Sequence, residues 1–165
     1  MSLIIKNVRV IDAKSKIDDT LDILIEGEKI AKIAKNIKEN GADVFEAKNL
    51  VAAAGFIDLH AHLREPGFEY KETILSGSKA AAAGGFTTVC CMPNTNPVID
   101  NRGVVEFIIS QSKKAGLINV LPVGAITKGS YGEELSEIGD LKDAGVVALS
   151  DDGKPVSNAE IMRRA

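Results

Sequence analysis

No basic stripe or arginine-rich run is present in this 165-residue sequence, in which 20 Lys and Arg are set against 23 Asp and Glu for a net charge of −3. Nucleic acid is bound by neutralising many phosphates, so this balance excludes that class of partner and leaves a small molecule as the expected ligand. No apolar run approaches the roughly 18 residues of a membrane-spanning helix. The N-terminal Met1-Ser2-Leu3-Ile4-Ile5-Lys6 lacks the layout of a signal peptide, and a cytoplasmic protein is expected. Cysteine is confined to the adjacent pair Cys90-Cys91 inside an apolar run. Neighbours in sequence are poorly placed for a normal disulfide, and no activating cation or base stands beside them, so they read as buried structural thiols of a reducing compartment. Phosphate-cradling loops are missing too: Ala80-Ala81-Ala82-Ala83-Gly84-Gly85 and Ile126-Thr127-Lys128-Gly129-Ser130 match neither GxGxxG nor GxxxxGK[ST]. The alanines are read instead as allowing a helix to pack closely on a sheet.

What is present is 45% hydrophobic residues, enough for the core of a globular protein. Residues 1–50 read as a small β unit. Leu3 to Ile11 is rich in β-branched residues with partial alternation, and Leu21–Ile25 and Lys29–Ile33 flank Glu26-Gly27-Glu28 as a hairpin. From Val51 to Ala165 the pattern changes to apolar strand, helix, apolar strand. A first strand ends at His62, and a helix over Lys71–Ala83 is stopped by Gly84-Gly85. A strand over Thr87–Met92 leads to a helix over Arg102–Ala115, and a strand over Asn119–Ala125 to a helix over Glu133–Ala144. The last pair is a strand over Val146–Leu149 and a helix from Ser157 to Ala165, capped by Ser157 or Asn158. Repeated strand-helix units imply a parallel sheet with right-handed crossovers. Both half of a (β/α)₈ barrel and an open doubly wound sheet fit, and both place their sites at the carboxyl ends of the strands.

The only two histidines, His60 and His62, lie at such an end, in Gly55-Phe56-Ile57-Asp58-Leu59-His60-Ala61-His62-Leu63-Arg64-Glu65-Pro66-Gly67. Side chains two apart on a strand share a face. Asp58, His60, His62 and Arg64 therefore point the same way, and two imidazoles so placed can reach one zinc-sized cation at roughly 2.0–2.1 Å. Asp58 reads either as hydrogen-bonded support for an imidazole or as a strand acid. Arg64 carries the planar fork that grips a carboxylate. Asn94 follows the second strand, and the acid pair Asp151-Asp152 follows the fourth.

Asp58-Leu59-His60-Ala61-His62-Leu63-Arg64-Glu65-Pro66-Gly67, Cys91-Met92-Pro93-Asn94-Thr95-Asn96-Pro97 and Ser150-Asp151-Asp152-Gly153 resemble, in order, three motifs of the dihydroorotases, zinc-dependent cyclic amidohydrolases. The resemblance implies a (β/α)₈ barrel beside a small β-sandwich, of which residues 1–50 would be the N-terminal part and residues 51–165 the first half of the barrel. It implies one or two zinc ions held by His60, His62 and a bridging Asp152, with Arg64 and Asn94 on the substrate's carboxylate. Asp151 would point the opposite way in a structural role. The implied reaction is the reversible cyclisation of N-carbamoyl-L-aspartate to L-dihydroorotate by a zinc-activated water or hydroxide, in pyrimidine biosynthesis. The family's general acid/base aspartate and further His ligands have no counterpart among these residues. The chain is accordingly expected to be a truncated half-barrel with little activity alone, either completed by another polypeptide or homo-oligomeric. The alternatives are a cyclic amidohydrolase of allantoinase or hydantoinase type and a non-catalytic scaffold partnering aspartate transcarbamoylase.

Overall fold

The structure is a computed structural model that describes residues 2–38 and 40–165. The chain divides into two units, Met1–Ala54 and Gly55–Ala165.

The first unit is a five-stranded sheet built around β1 (Ser2–Asp12). On one side β1 pairs antiparallel with β2 (Ile17–Glu26), which forms the expected hairpin with β3 (Lys29–Ala34) through Gly27 at φ 59°. On the other it pairs in parallel with β4 (Asp43–Glu46) and β5 (Val51–Ala53). The partial alternation of β1 has a structural cause. Ile5 faces Ile23 and Val8 faces Leu21, so Lys6 and Asn7 together oppose Asp22 in a bulge that inverts the side-chain parity. Ile4 therefore packs on one face with Leu24 and Ile37, whereas Val8 and Val10 pack on the other with Ile23 and Ala47. The bulge leaves backbone donors without a ladder partner. The buried Asp22 carboxylate accepts from the N–H of Asn7 and from that of Ile37, both at 2.9 Å.

The second unit is a parallel sheet of β6 (Phe56–Ala61), β7 (Phe86–Cys91), β8 (Asn119–Gly124) and β9 (Ala148–Leu149), in that spatial order. Helices α1 (Ile74–Ala83), α2 (Arg102–Ala115) and α3 (Ile138–Ala144) connect the successive strands, and α4 (Ala159–Arg164) follows β9. Strictly sequential order decides between the two architectures. A doubly wound sheet reverses direction at a switch point, whereas a barrel adds each strand beside its predecessor. This unit is the first half of a (β/α)₈ barrel. Its principal core lies between sheet and helices, where Val89, Cys91 and Val120 meet Ile74, Val104, Val105, Ile108 and Leu141. The opposite face carries Cys90, Met92 and Val123.

Several elements differ from the sequence reading, among them the last strand, Ala148–Leu149 rather than Val146–Leu149, and α4, which starts at Ala159 rather than Ser157. The apolar run expected to form one strand up to His62 is two strands in two sheets, β5 and β6, with Ala54-Gly55 between them. A Cβ on Gly55 would lie 2.1 Å from Thr87 Cγ2, so the chain passes β7 too closely for any side chain. Helix α1 starts at Ile74 rather than Lys71. Thr73 and Ser76 form a capping box, each side chain meeting the other's backbone N–H, and Glu65 Oε2 accepts from the Ile74 N–H at 2.7 Å. Helix α3 starts at Ile138 rather than Glu133 because residues 133–137 fold back on the β8 loop, pairing Leu135 with Thr127 and donating the Ser136 N–H to the Ile126 carbonyl. The close packing of α1 on the sheet also rests less on its alanines than on Gly77, where a Cβ would come within 2.5 Å of Leu63 Cδ2.

Candidate metal centre

The carboxyl ends of β6, β7 and β9 bring His60, His62, Asn94 and Asp152 together. Asp152 Oδ1 lies 3.1 Å from His60 Nε2, and Oδ2 lies 3.8 Å from His62 Nδ1. The two imidazole rings stand edge to face with centroids 5.1 Å apart, as shared strand parity requires. One donor atom from each of His60, His62 and Asp152 falls within 4.8 Å of the others, and this is the only such cluster among the described residues.

The donor set can be tested against a cation by geometry. Bonds of about 2.0–2.2 Å around a tetrahedral zinc put ligand atoms about 3.3–3.6 Å from one another. The separations of 3.1 and 3.8 Å, one to each oxygen of Asp152, lie within a few tenths of an ångström of that range. Two imidazole nitrogens and a carboxylate oxygen are also a donor combination that zinc accepts, and three protein ligands leave a position open. The donor set is one that could hold a divalent cation.

Asn94 bridges two members of the cluster. Its Oδ1 lies 3.0 Å from His62 Nδ1, and its Nδ2 donates to Asp152 Oδ2 at 2.9 Å. Arg64 follows His62 after one buried residue, Leu63, and adopts a left-handed backbone at φ 62°. Among the described residues its guanidinium makes no hydrogen bond or ion pair, so the structure does not join it to the cluster. The loop that begins at Arg64 is nonetheless tied to the Asn94 loop. The Asn96 N–H donates to the Pro66 carbonyl at 2.9 Å, and Gly67 passes so near that a Cβ would sit 2.1 Å from Asn96 O. Asp58 is a strand acid, accepting from the N–H of His60 at 2.9 Å.

Next to Asp152, Asp151 turns the other way and is buried. Its Oδ1 accepts from the Thr127 N–H at 3.1 Å, and its Oδ2 accepts from the Thr127 hydroxyl. Thr127 is fully buried. Sequence reading passed over this threonine because nothing distinguishes a lone Thr in a loop until its partner is known. A cavity of about 370 Å³ opens beside Asp152 and is lined also by Ile126, Ser150, Lys154 and Met162. A larger cleft of about 620 Å³ lies in the first unit, but its Arg9 is already engaged by Asp18 through two hydrogen bonds, and among the described residues no metal-type cluster adjoins it.

The chain is 56% identical to a dihydroorotase of Solibacter usitatus over 165 residues, covering all of this chain and 38% of that protein. It is 55% identical to a dihydroorotase of Geobacter metallireducens, covering all of this chain and 39% of the relative. The chain thus spans well under half the length of these curated relatives. Among solved structures, an L-hydantoinase (dihydropyrimidinase) from Arthrobacter aurescens superposes with a TM-score of 0.72 at 25% identity, over 89% of this chain and 32% of that one. A crystal structure of a dihydroorotase shares the fold, with a TM-score of 0.57 at 20% identity over 78% of this chain and 32% of that one. The dihydro-orotase-like family model matches residues 48–165. Since that match takes in every strand and helix of the half-barrel, the chain belongs to the dihydro-orotase-like family.

Proposed function

We propose that this chain carries the amino-terminal part of a zinc-dependent dihydroorotase, which interconverts N-carbamoyl-L-aspartate and L-dihydroorotate in pyrimidine synthesis. The observation that carries the reading is the convergence of His60 Nε2 and His62 Nδ1 on the two oxygens of Asp152, at 3.1 and 3.8 Å. His60 and His62 would offer neutral nitrogen donors, and Asp152 an anionic oxygen that offsets the charge of the cation. Zinc supplies Lewis acidity when bound, polarising an amide carbonyl and making water acidic enough to attack near neutral pH.

The organic work of these residues is orientation. Asn94, already within hydrogen-bond reach of His62 and Asp152, would turn its amide toward one oxygen of the substrate's carboxylate. Arg64 has the unpaired fork to take the other in a charge-assisted pair. Anchoring the carboxylate at two points sets the scissile amide in one attitude over the metal ligands, which is how binding is converted into rate. Proton transfer at the ring nitrogen needs a general acid/base, and that role falls to the part of the relatives' length beyond this chain.

The test is zinc content together with a substrate panel. Elemental analysis of the purified chain should give about one zinc, lost on His60→Ala. The protein extended to its relatives' length should hydrolyse dihydroorotate in preference to hydantoins and allantoin. The likeness in fold to a hydantoinase makes the reverse preference the informative alternative. Absence of zinc from both chain and extended protein would overturn the assignment.

A further inference from the structure

Asp152 does not hold its own position. It follows the two-residue strand β9, and the segment after it bends through Gly153 at φ 79°. A terminus this short cannot by backbone pairing alone set a carboxylate to the few tenths of an ångström that a metal ligand requires. One restraint is the bond that Asn94 Nδ2 donates to Asp152 Oδ2 at 2.9 Å, and the other comes from its neighbour. Asp151 is 4% exposed and Thr127 is fully buried. The Thr127 N–H and hydroxyl both donate to the Asp151 carboxylate, and the Thr127 Oγ1 accepts in turn from the Gly132 N–H at 2.9 Å. The same loop is anchored elsewhere. The Ala125 N–H donates to the Ile99 carbonyl at 2.7 Å, and the Gly129 N–H to Asp100 Oδ2 at 2.8 Å, both partners lying in the β7 loop that also carries Asn94.

We infer that Asp151 and Thr127 are positioning residues for the metal centre, a buried clamp that locks the β9 terminus to the β8 loop and so aims Asp152 at His60. Beyond β9 the chain enters a turn, the Lys154 N–H donating to the Asp151 carbonyl at 2.8 Å, and Asp152 is the next residue in it. Fixing the Asp151 carboxylate between two donors therefore fixes the peptide plane from which Asp152 projects. The clamp touches neither metal nor substrate, and it gives Asp151, expected from the sequence to turn away in a structural role, a definite task. The inference rests on the metal reading above.

The experiment compares the unmodified chain with Thr127→Val, which keeps the shape but removes the hydroxyl, and with Thr127→Ser, which restores it. Asp151→Asn is a second lesion in the same pair. Zinc affinity is measured by chelator competition, and the geometry of the site by the visible absorption of the cobalt-loaded protein. Thr127→Val and Asp151→Asn should weaken zinc about 10- to 100-fold, the range for groups that orient metal ligands, and should alter the cobalt band, while Thr127→Ser keeps both near the original values. A clamp that served folding alone would lower the unfolding temperature of the metal-free protein but leave the cobalt spectrum of the loaded, folded fraction unchanged. That result overturns the inference, as does zinc binding in both lesions equal to the original. An unmodified chain that binds no cobalt or zinc overturns the metal reading itself, and this inference with it.

Discussion

Cys91 ends β7 with its thiol packed among Leu63, Val89 and Val105, where burial pushes its pKa up to about 12. An unfolded cysteine titrates near about 8.5. Between those values the native state keeps a proton that the unfolded chain gives up, so the contribution to stability is complete below about pH 8.5 and declines as pH rises toward 12. The slope from one such group approaches about 1.4 kcal/mol per pH unit. Urea titrations at pH 8, 9 and 10 should show this loss, and Cys91→Ala should be less stable at pH 8 but lose less between pH 8 and 10. The same burial predicts slow modification of Cys91 by a thiol reagent at pH 8 until denaturant is added. Fast modification in the native protein would place the thiol outside the core. The structural role of this pair was legible from its apolar setting. Its exact face was not, because Cys90 and Cys91 point to opposite sides of β7 and only the assembled sheet shows which side meets the helices.

Helix α2 illustrates which elements can be read from local pattern and why others mislead. Its bounds match the sequence reading because both ends carry their own signals. Asn101 Oδ1 accepts from the Val104 N–H at 3.2 Å, and Gly116 adopts the left-handed conformation at φ 62° that closes the helix. Between them Val104, Val105 and Ile108 form the buried stripe. Replacing Asn101 with Ala should lower stability by about 1 kcal/mol, the usual cost of losing an N-cap, whereas Asp should retain most of it. Equilibrium denaturation with an unchanged m-value would report this, and an equal loss in both variants would mean that the cap is not what Asn101 contributes. Helix α3 misled because residues 133–137 are compatible with a helix but are recruited by Ile126 and Thr127 into the β8 loop. The run Val51–Ile57 misled because hydrophobicity does not record a change of sheet, and only the closeness of Gly55 to Thr87 marks the break. The His pair was legible from strand parity, whereas Asn94 and Asp152, placed after their strands by pattern, were singled out only by the resemblance of their motifs. The Asp151–Thr127 contact was not legible, because it joins residues 24 apart in sequence with no periodic relation.

At the scale of the whole molecule, the half-barrel carries an unpaired side that its sequence order implies. Among the described residues strand β6 has a neighbour only in β7, which leaves its far edge without a strand partner. Phe56, Ile57 and Leu59 on that strand are 60%, 62% and 72% exposed, an unusual amount of bare aliphatic and aromatic surface for one six-residue element. In a closed barrel a strand in this position is paired on both edges and covered by helices on its outer face. The chain spans 38% of its Solibacter usitatus relative, so the material that covers such a strand in a complete barrel has no counterpart among these residues. Edge pairing and burial of these three side chains both favour association with whatever offers the same features, and a second copy of this chain does. Light scattering of the isolated chain should therefore give a mass above the 17.5 kDa of one copy, rising with concentration. Leu59→Lys places a charge on the bare face, opposite in parity to His60, and should shift the mass toward the monomer without removing zinc. Amide exchange supplies the complementary reading: β6 amides should be protected in the associated form and exchange freely in Leu59→Lys. A monomeric chain at every concentration, with β6 amides as slow as those of β7, would show that this edge is stable without a partner.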